Sequence, residues 1–194
     1  GVSPIGDVIR SPRSDGRISL GHVGGRSAHK GAGLIEAVLR RSHYDRLHLT
    51  MVDGTLAPGE RVETTWGRTP VTLTAPYPQR EVARLYGKLD VLLAPSTWPE
   101  SFGLVTREAM EAGLWVVAAD LGAIGQDVER GRNGYVVDVT TTAGLAQALA
   151  MIDADPERHR APAPRRTTPS LPTPDTQAAQ LHALYTSICA YPLY

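Results

Sequence analysis

The sequence predicts an α/β domain: a Rossmann-like, doubly wound parallel sheet of about six strands with helices on both faces. Three observations carry this. Short apolar runs of strand length alternate with helical patterns along most of the chain. Those runs are continuous rather than alternating, as in strands buried on both faces. The 194 residues suffice for one such domain with its own core.

The stretch up to Arg17 is rich in Gly, Pro, Ser and Arg and reads as a lead-in linker over 1–17. Strands are expected at Ile18 to Val23, Leu47 to Val52, Val71 to Ala75, Val91 to Pro95, Trp115 to Asp120 and Tyr135 to Val139. Helices are expected at Gly33 to Arg41, Pro78 to Lys88, Gly103 to Ala112, Ile124 to Arg130 and Thr142 to Ile152. Thr55 to Thr69 stays ambiguous, because Pro58 and Gly59 interrupt it. The domain proper is drawn over 18–160. A proline-rich connector with Arg165 and Arg166 follows over 161–176. The last segment, 177–194, holds a helix from Gln177 to Ile188 and a tail. Leu181, Leu184 and Ile188 share one side of that helix, a stripe that needs a surface to cover.

Lys plus Arg and Asp plus Glu both number 20, so the formal charge is zero. No global field draws the chain to nucleic acid or an anionic membrane, and neither is expected as a partner of this domain. Cys189 is the only cysteine, so no intrachain disulfide forms and no zinc-like spacing exists. The apolar runs around Val91 and Leu114 are far too short to span a bilayer, and the first residues lack a signal-peptide pattern. A cytoplasmic location is expected, and a larger parent protein remains free to sit peripherally on a membrane.

Chemistry concentrates in two loops. Pro95 to Met110 follows a buried strand and opens a helix near Gly103. In an open α/β sheet, ligands bind beyond the strand carboxyl ends, and a helix N-terminus there offers free N–H groups to an anion. Gly103 lets a phosphate approach the backbone. Glu100 stands at the mouth of this loop. On the helix, Leu104, Val105, Ala109 and Ala112 form one stripe, and Glu108 falls inside it, with Arg107 and Glu111 at its edge or beyond. A carboxylate on a buried face needs hydrogen-bond donors, which ribose hydroxyls would supply and which a neighbouring loop or an arginine would equally supply. The second loop, Gly21 to Gly31, leaves the first strand. Its glycines permit a tight turn, and Arg26 and Lys30 place positive charge where a diphosphate could lie. It is neither a Walker A loop nor a clean dinucleotide fingerprint.

Together these loops resemble the C-terminal half of GT-B glycosyltransferases, in particular the retaining family 4. The residues carrying the likeness are Glu100-x7-Glu108 within Pro95-Ser96, Glu100-Ser101-Phe102-Gly103-Leu104-Val105 and Glu108-Ala109-Met110. Gly113, Val116-Val117-Ala118, Gly122-Ala123-Ile124 and Gly131-Arg132-Asn133-Gly134 follow in order, and Gly25-Arg26 with Lys30-Gly31 precede. The likeness extends to about Ile152. Trp115 stands where the family usually has Pro, the Arg26-to-Lys30 spacing is one residue short, and Gln126 or Asp127 replaces a usual Glu.

The resemblance implies that Glu108 takes the donor ribose hydroxyls and that Glu100 holds the sugar near its reacting carbon. Backbone groups at Phe102, Gly103 and Leu104 would hold sugar and diphosphate. Lys30, with Arg26 and the turn at Gly25, would neutralise the departing nucleoside diphosphate, and Tyr77 would flank the base. The donor would be a UDP- or GDP-type nucleotide sugar, transferred with retention, in polysaccharide or glycoconjugate assembly. Neither cofactor nor metal is called for, since preorganised cations and a helix N-terminus can stabilise the leaving diphosphate. The resemblance also implies a missing N-terminal acceptor-binding domain ahead of Gly1-Val2, and little transfer by this chain alone.

Other residues attract blander readings. Asp153-Ala154-Asp155 reads as a solvated turn rather than a metal motif. His22 and His29 read as surface or structural histidines. His43, His48, His159 and His182 show no partner in the sequence. Trp98 is placed to wall the sugar pocket, and Trp66 and Trp115 pack. Two other functions compete with transfer: a non-catalytic nucleotide-sugar module or scaffold, and a nucleotide-sugar epimerase on the same fold. A nicotinamide enzyme ranks last, for want of its fingerprint.

Overall fold

Seven strands form one sheet in the spatial order β3-β4-β2-β1-β5-β6-β7. The computed structural model describes residues 8–11, 13–164 and 174–189. The strands are β1 (Ile18–His22), β2 (Leu47–Val52), β3 (Arg61–Trp66), β4 (Thr69–Thr74), β5 (Val91–Ala94), β6 (Trp115–Ala119) and β7 (Gly134–Val137). All adjacent pairs run parallel except β3 with β4. The helices are α1 (Ala32–Arg41), α2 (Val82–Tyr86), α3 (Leu104–Glu111), α4 (Ala143–Ala154), α5 (Pro156–Arg160) and α6 (Pro174–Cys189).

The continuous apolar strands are buried on both faces, as their composition requires. Within β5, Val91 and Leu93 join the core under α1 and α4, with Ile35, Leu39, Leu145 and Leu149. Leu92 and Ala94 point the other way and meet Leu85, Tyr86, Ala109 and Met110 of α2 and α3. The sheet is thus covered on both sides. From β1 the chain winds outward to β2 and β4, then returns to β5 on the opposite side of β1. The gap between the carboxyl ends of β1 and β5 is therefore the topological switch point.

Four sequence expectations need correction. The ambiguous segment 55–69 contains β3, which pairs antiparallel with β4 from Trp66↔Thr69 to Arg61↔Thr74. Its charged, largely exposed residues suit a sheet edge, and that polarity hid it among apolar strands. Ile124 to Arg130 is not a helix: turns run to Asp127, and Arg130 makes an isolated bridge with Gly134. Gly125 packs so tightly on β6 that an added Cβ would lie 2.8 Å from the Ala119 carbonyl oxygen, which draws the chain away from a helical path. Pro78 to Lys88 divides into a 3-10 turn, Gln79–Glu81, and the short α2. The stripe of α6 is exposed at Leu181, Leu184 and Ile188, with no surface among the described residues covering it.

Two ends of the domain are pinned. Arg10 donates to Asp90 Oδ1 at 2.8 Å and to the Arg160 carbonyl at 3.0 Å. Asp90 also accepts from the backbone N–H of Ser19 at 2.8 Å. Asp153 accepts from the Arg46 N–H, and Asp155 caps α5 by accepting from the Arg158 N–H. Among the described residues, no helix is long and apolar enough to cross a membrane, and no group of three or more His, Cys, Asp and Glu is placed to hold a metal ion. The linker residues 1–7 and 12, most of the connector with Arg165 and Arg166, and the tail 190–194 lie outside the described residues.

Candidate functional site

The switch point opens into a cavity of about 620 Å³. One wall comes from the loop after β1, with His22, Gly24 and Lys30. The facing wall comes from the loop after β5, with Glu100, Phe102 and Gly103. One glycine lets these loops touch, and a second, in the loop after β6, lets that loop pack on the β5 loop. Gly31 has φ 83, and a Cβ there would sit 2.0 Å from the Pro95 carbonyl oxygen. Gly122 has φ 68, and its Cβ would lie 2.7 Å from both the backbone N and O of Glu100. Backbone bonds reinforce both contacts: Thr97 N–H donates to the His29 carbonyl at 2.9 Å, and Ala123 N–H donates to the Glu100 carbonyl at 2.7 Å.

Charge inside the cavity is arranged as a pair. Lys30 ends a 3-10 turn, Ala28–Lys30, which aims its ammonium inward to donate to Glu100 Oε1 at 2.9 Å. Both side chains stay partly open to solvent. Gly103 adopts the left-handed conformation (φ 63, ψ 48) and starts α3 with no side-chain cap. The first N–H groups of α3 thus face the cavity with the positive end of the helix dipole. The loop before α3 is held from behind by Arg107. Its guanidinium donates to Asp127 at 2.7 Å and to the Phe102 carbonyl at 2.5 Å, and lies 4.3 Å from the centre of the Phe102 ring.

A second hollow of about 230 Å³ adjoins the first, since Val23 and Val105 wall both. Glu108 is the one charged side chain among the described residues lining it. The carboxylate is half-buried and accepts from the Tyr86 hydroxyl at 3.3 Å. Burial pushes its pKa above the usual carboxylate range, and the Tyr86 hydrogen bond partly offsets this. The Tyr86 hydroxyl is raised in turn, by burial and by the adjacent Glu108. Tyr77 lines the same hollow, with its hydroxyl 3.2 Å from Thr74 Oγ1.

The structure thus brings Lys30, Glu100, Phe102, Gly103 and Leu104 to one cavity and Glu108 and Tyr77 to its neighbour. It does not bring Arg26 there. The Arg26 guanidinium lies 3.3 Å from Glu36 and 3.7 Å from Asp53. Gly25 has φ 69 but is replaced on the cavity wall by Gly24. Trp98 is 68 % exposed and does not line the cavity. On α3 the helical stripe is rotated from its expected position: Leu104 is 48 % exposed, whereas Arg107 is buried. An ion pair and a carbonyl pay for that burial, and neither partner is visible from periodicity. Tyr86 is not legible in the sequence, because its link to Glu108 spans two helices. His22 is buried, with a ring nitrogen near each of two carbonyl oxygens.

Residues 18–155 match the family model for "Glycosyl transferases group 1". D-inositol 3-phosphate glycosyltransferase of Nocardia farcinica is 38% identical over 90 residues, which are 46% of this chain and 20% of that protein. N-acetyl-alpha-D-glucosaminyl L-malate synthase of Bacillus anthracis is 37% identical over 82 residues, 42% of this chain and 21% of that protein. The matched stretch thus spans about a fifth of the length of these curated relatives. Among solved structures, sucrose-phosphate synthase of Thermosynechococcus elongatus aligns with TM-score 0.67 at 22% identity, over 93% of this chain and 50% of that one. Anabaena HepE, solved in complex with UDP, aligns with TM-score 0.64 at 20% identity, over 89% of this chain and 49% of that one. A C-terminal domain of a group 1 glycosyl transferase from Francisella tularensis aligns with TM-score 0.61 at 18% identity, over 82% of this chain and 91% of that one. A mostly parallel sheet with its cavity at the switch point, and a family match from β1 to the end of α4, place the chain in the group 1 family of glycosyl transferases.

Proposed function

We propose that this chain is the donor-binding, C-terminal half of a GT-B enzyme that transfers a sugar from a nucleoside-diphosphate sugar to an acceptor. One observation carries the reading most: an ammonium, a carboxylate and an uncapped helix N-terminus meet in one cavity, beside a hollow holding a lone half-buried acid. The diphosphate would lie between Lys30 and the start of α3, where developing negative charge is stabilised without reorganisation. Glu108 would accept from the ribose hydroxyls, which replace water around a carboxylate that burial disfavours. Glu100 would hydrogen-bond the sugar once the phosphate draws Lys30 from it. Tyr77 would flank the base. UDP and GDP donors both suit these contacts, and the UDP bound to HepE makes the uridine nucleotide the first to test.

The acceptor and the groups that orient it would come from a second domain closing over the cavity, outside these 194 residues. Retention at the anomeric carbon and a place in polysaccharide or glycoconjugate assembly belong to the same proposal, as does a cytoplasmic location. The test is calorimetry of the chain against UDP-glucose, GDP-mannose and ADP-glucose, repeated with Glu108→Ala. Binding of one donor, lost in the variant, is the expected result. Equal binding by the variant removes the ribose assignment, and no binding of any donor removes the function. Transfer itself is tested by joining the chain to its upstream domain and analysing products. An isomerised donor would point instead to an epimerase.

A further inference from the structure

His22 has no part in the donor reading, yet it ends β1 inside the cavity wall and is almost wholly buried. Its Nδ1 lies 2.9 Å from the Leu93 carbonyl oxygen on β5. Its Nε2 lies 3.1 Å from the Gly25 carbonyl oxygen in the glycine loop. A neutral imidazole carries one N–H, so it can donate to one of these oxygens while its other nitrogen turns a lone pair toward the second. Only the imidazolium donates to both. The ring therefore has two states that differ in how firmly the glycine loop is tied to β5.

The groups facing the ring decide which state holds. Burial disfavours the charged form and keeps the His22 pKa below its ordinary value; the two carbonyls oppose this, and the Lys30 ammonium adds to it. Lys30 and Glu100 are the charged side chains on the cavity wall among the described residues, and they neutralise each other. At the end of β2, Asp53 is likewise met by Arg26. Across β1, the register partner of His22 is the apolar Met51. Among the described residues on these elements, each acid near the ring is thus paired with a cation.

We infer that His22 is a positioning residue of the donor site: binding of the diphosphate draws one proton from solvent onto its ring, and the imidazolium then holds the Leu93 and Gly25 carbonyls together, fixing the glycine loop around the phosphates. The inference rests on reading the cavity as a nucleotide-sugar site. An arriving diphosphate offsets the Lys30 field and supplies negative charge beside a ring already flanked by two acceptors. Gly24 leaves room for this and little more, since a Cβ there would lie 3.0 Å from His22 Cε1.

The test is calorimetry with UDP-glucose near pH 7 in PIPES and in Tris, buffers of low and high ionisation enthalpy. A diphosphate diester does not titrate near neutrality, so the ligand adds no proton of its own. The expected result is an enthalpy that differs between buffers in the sense of net proton uptake. Uptake at Glu100 or Glu108 would survive His22→Gln, so that variant separates them from the ring. The uptake should vanish in His22→Gln, with binding about tenfold weaker for the lost charged hydrogen bond, and persist in His29→Gln. Should His22→Gln fold poorly, the wild-type ring is followed by proton NMR across pH with and without UDP-glucose, and its pKa must rise on binding. Binding with identical enthalpy in both buffers, or uptake that survives His22→Gln, overturns the inference and leaves the donor reading standing. Failure of UDP-glucose, GDP-mannose and ADP-glucose to bind overturns both.

Discussion

Lys30 Nζ and Glu100 Oε1 meet at 2.9 Å across the gap between the β1 and β5 loops. The pair joins the two walls of the cavity and satisfies each charge. Both side chains keep solvent contact, so the pair adds little to stability, in the range of about 0–1 kcal/mol. Its weakness is useful, because a phosphate can take the ammonium at small cost. Lys30→Met should therefore leave Tm nearly unchanged and weaken UDP-glucose binding more than about tenfold, for loss of a charge-assisted contact. Thermal melts and calorimetry on the same sample check this. A large fall in Tm would show that the pair is mainly a structural brace.

Glu108 sets stability against binding. Its folded-state pKa is raised by burial, so the folded chain holds a proton that the unfolded chain gives up. Stability is then greatest below the unfolded carboxyl value of 4.5 and falls as pH rises through the folded one. Glu108→Gln removes the buried charge and keeps a group able to meet Tyr86. It should raise Tm at pH 7.5, with the gain shrinking at acid pH, while donor binding weakens by about tenfold or more. Melts at several pH values read the first effect and calorimetry the second. A gain over the wild type no larger at pH 7.5 than at pH 4 would refute the strained-acid reading.

Much of this architecture is legible in the chain, for definite reasons. The runs around Leu92 and Val117 are apolar at every position, and those around Leu20 and Leu49 mostly so, because both faces of each strand are buried, and this signal needs no partner. Lys30, Glu100 and Gly103 are legible because they follow such strands, at the end of the sheet where ligands bind. What stayed hidden depends on contacts between distant segments. Arg107 looks like a surface residue until Asp127 and the Phe102 carbonyl appear behind it. The strand β3 is exposed at every residue but Trp66 and is held by its pairing with β4. Arg26 sits near the right place in sequence, yet it pairs with Glu36 and Asp53.

His48 should govern part of the acid limb of stability. The Thr72 hydroxyl donates to Glu63 Oε2 at 2.7 Å, so Thr72 must accept from His48 Nε2–H at 3.1 Å. The buried Nδ1 then keeps a bare lone pair with no partner among the described residues. Protonation would put a charge there with no acceptor. Burial first, and then Arg13, lower the pKa from 6.5 to about 4. A histidine depressed on folding contributes stability that is complete above its unfolded value and lost as pH falls through its folded one. Between pH 6.5 and 4 the loss should reach about 3 kcal/mol. Urea denaturation across that range measures it. His48→Leu should flatten this limb while changing stability at pH 7.5 by no more than about 1 kcal/mol, and an unaltered limb would assign the acid loss elsewhere.

Three glycines with positive φ separate backbone strain from loop packing. At Gly131 (φ 73) an added Cβ meets open space, so Gly131→Ala should cost only the left-handed backbone term of about 1–2 kcal/mol. At Gly31 (φ 83) the same Cβ strikes the Pro95 carbonyl at 2.0 Å, and main chain on both sides cannot yield easily. Gly31→Ala should exceed about 4 kcal/mol or prevent folding. Gly122→Ala lies between, because its Cβ would press on the Glu100 backbone at 2.7 Å, and that loop can shift. A displaced Glu100 would lose its hold on the sugar while Glu108, on α3, keeps the nucleoside. Gly122→Ala should thus bind UDP nearly as the wild type does and lose several-fold in affinity for UDP-glucose relative to UDP. Denaturation of all three variants orders the costs, and calorimetry with both ligands reads the selectivity. Equal loss for UDP and UDP-glucose would detach Glu100 from the sugar.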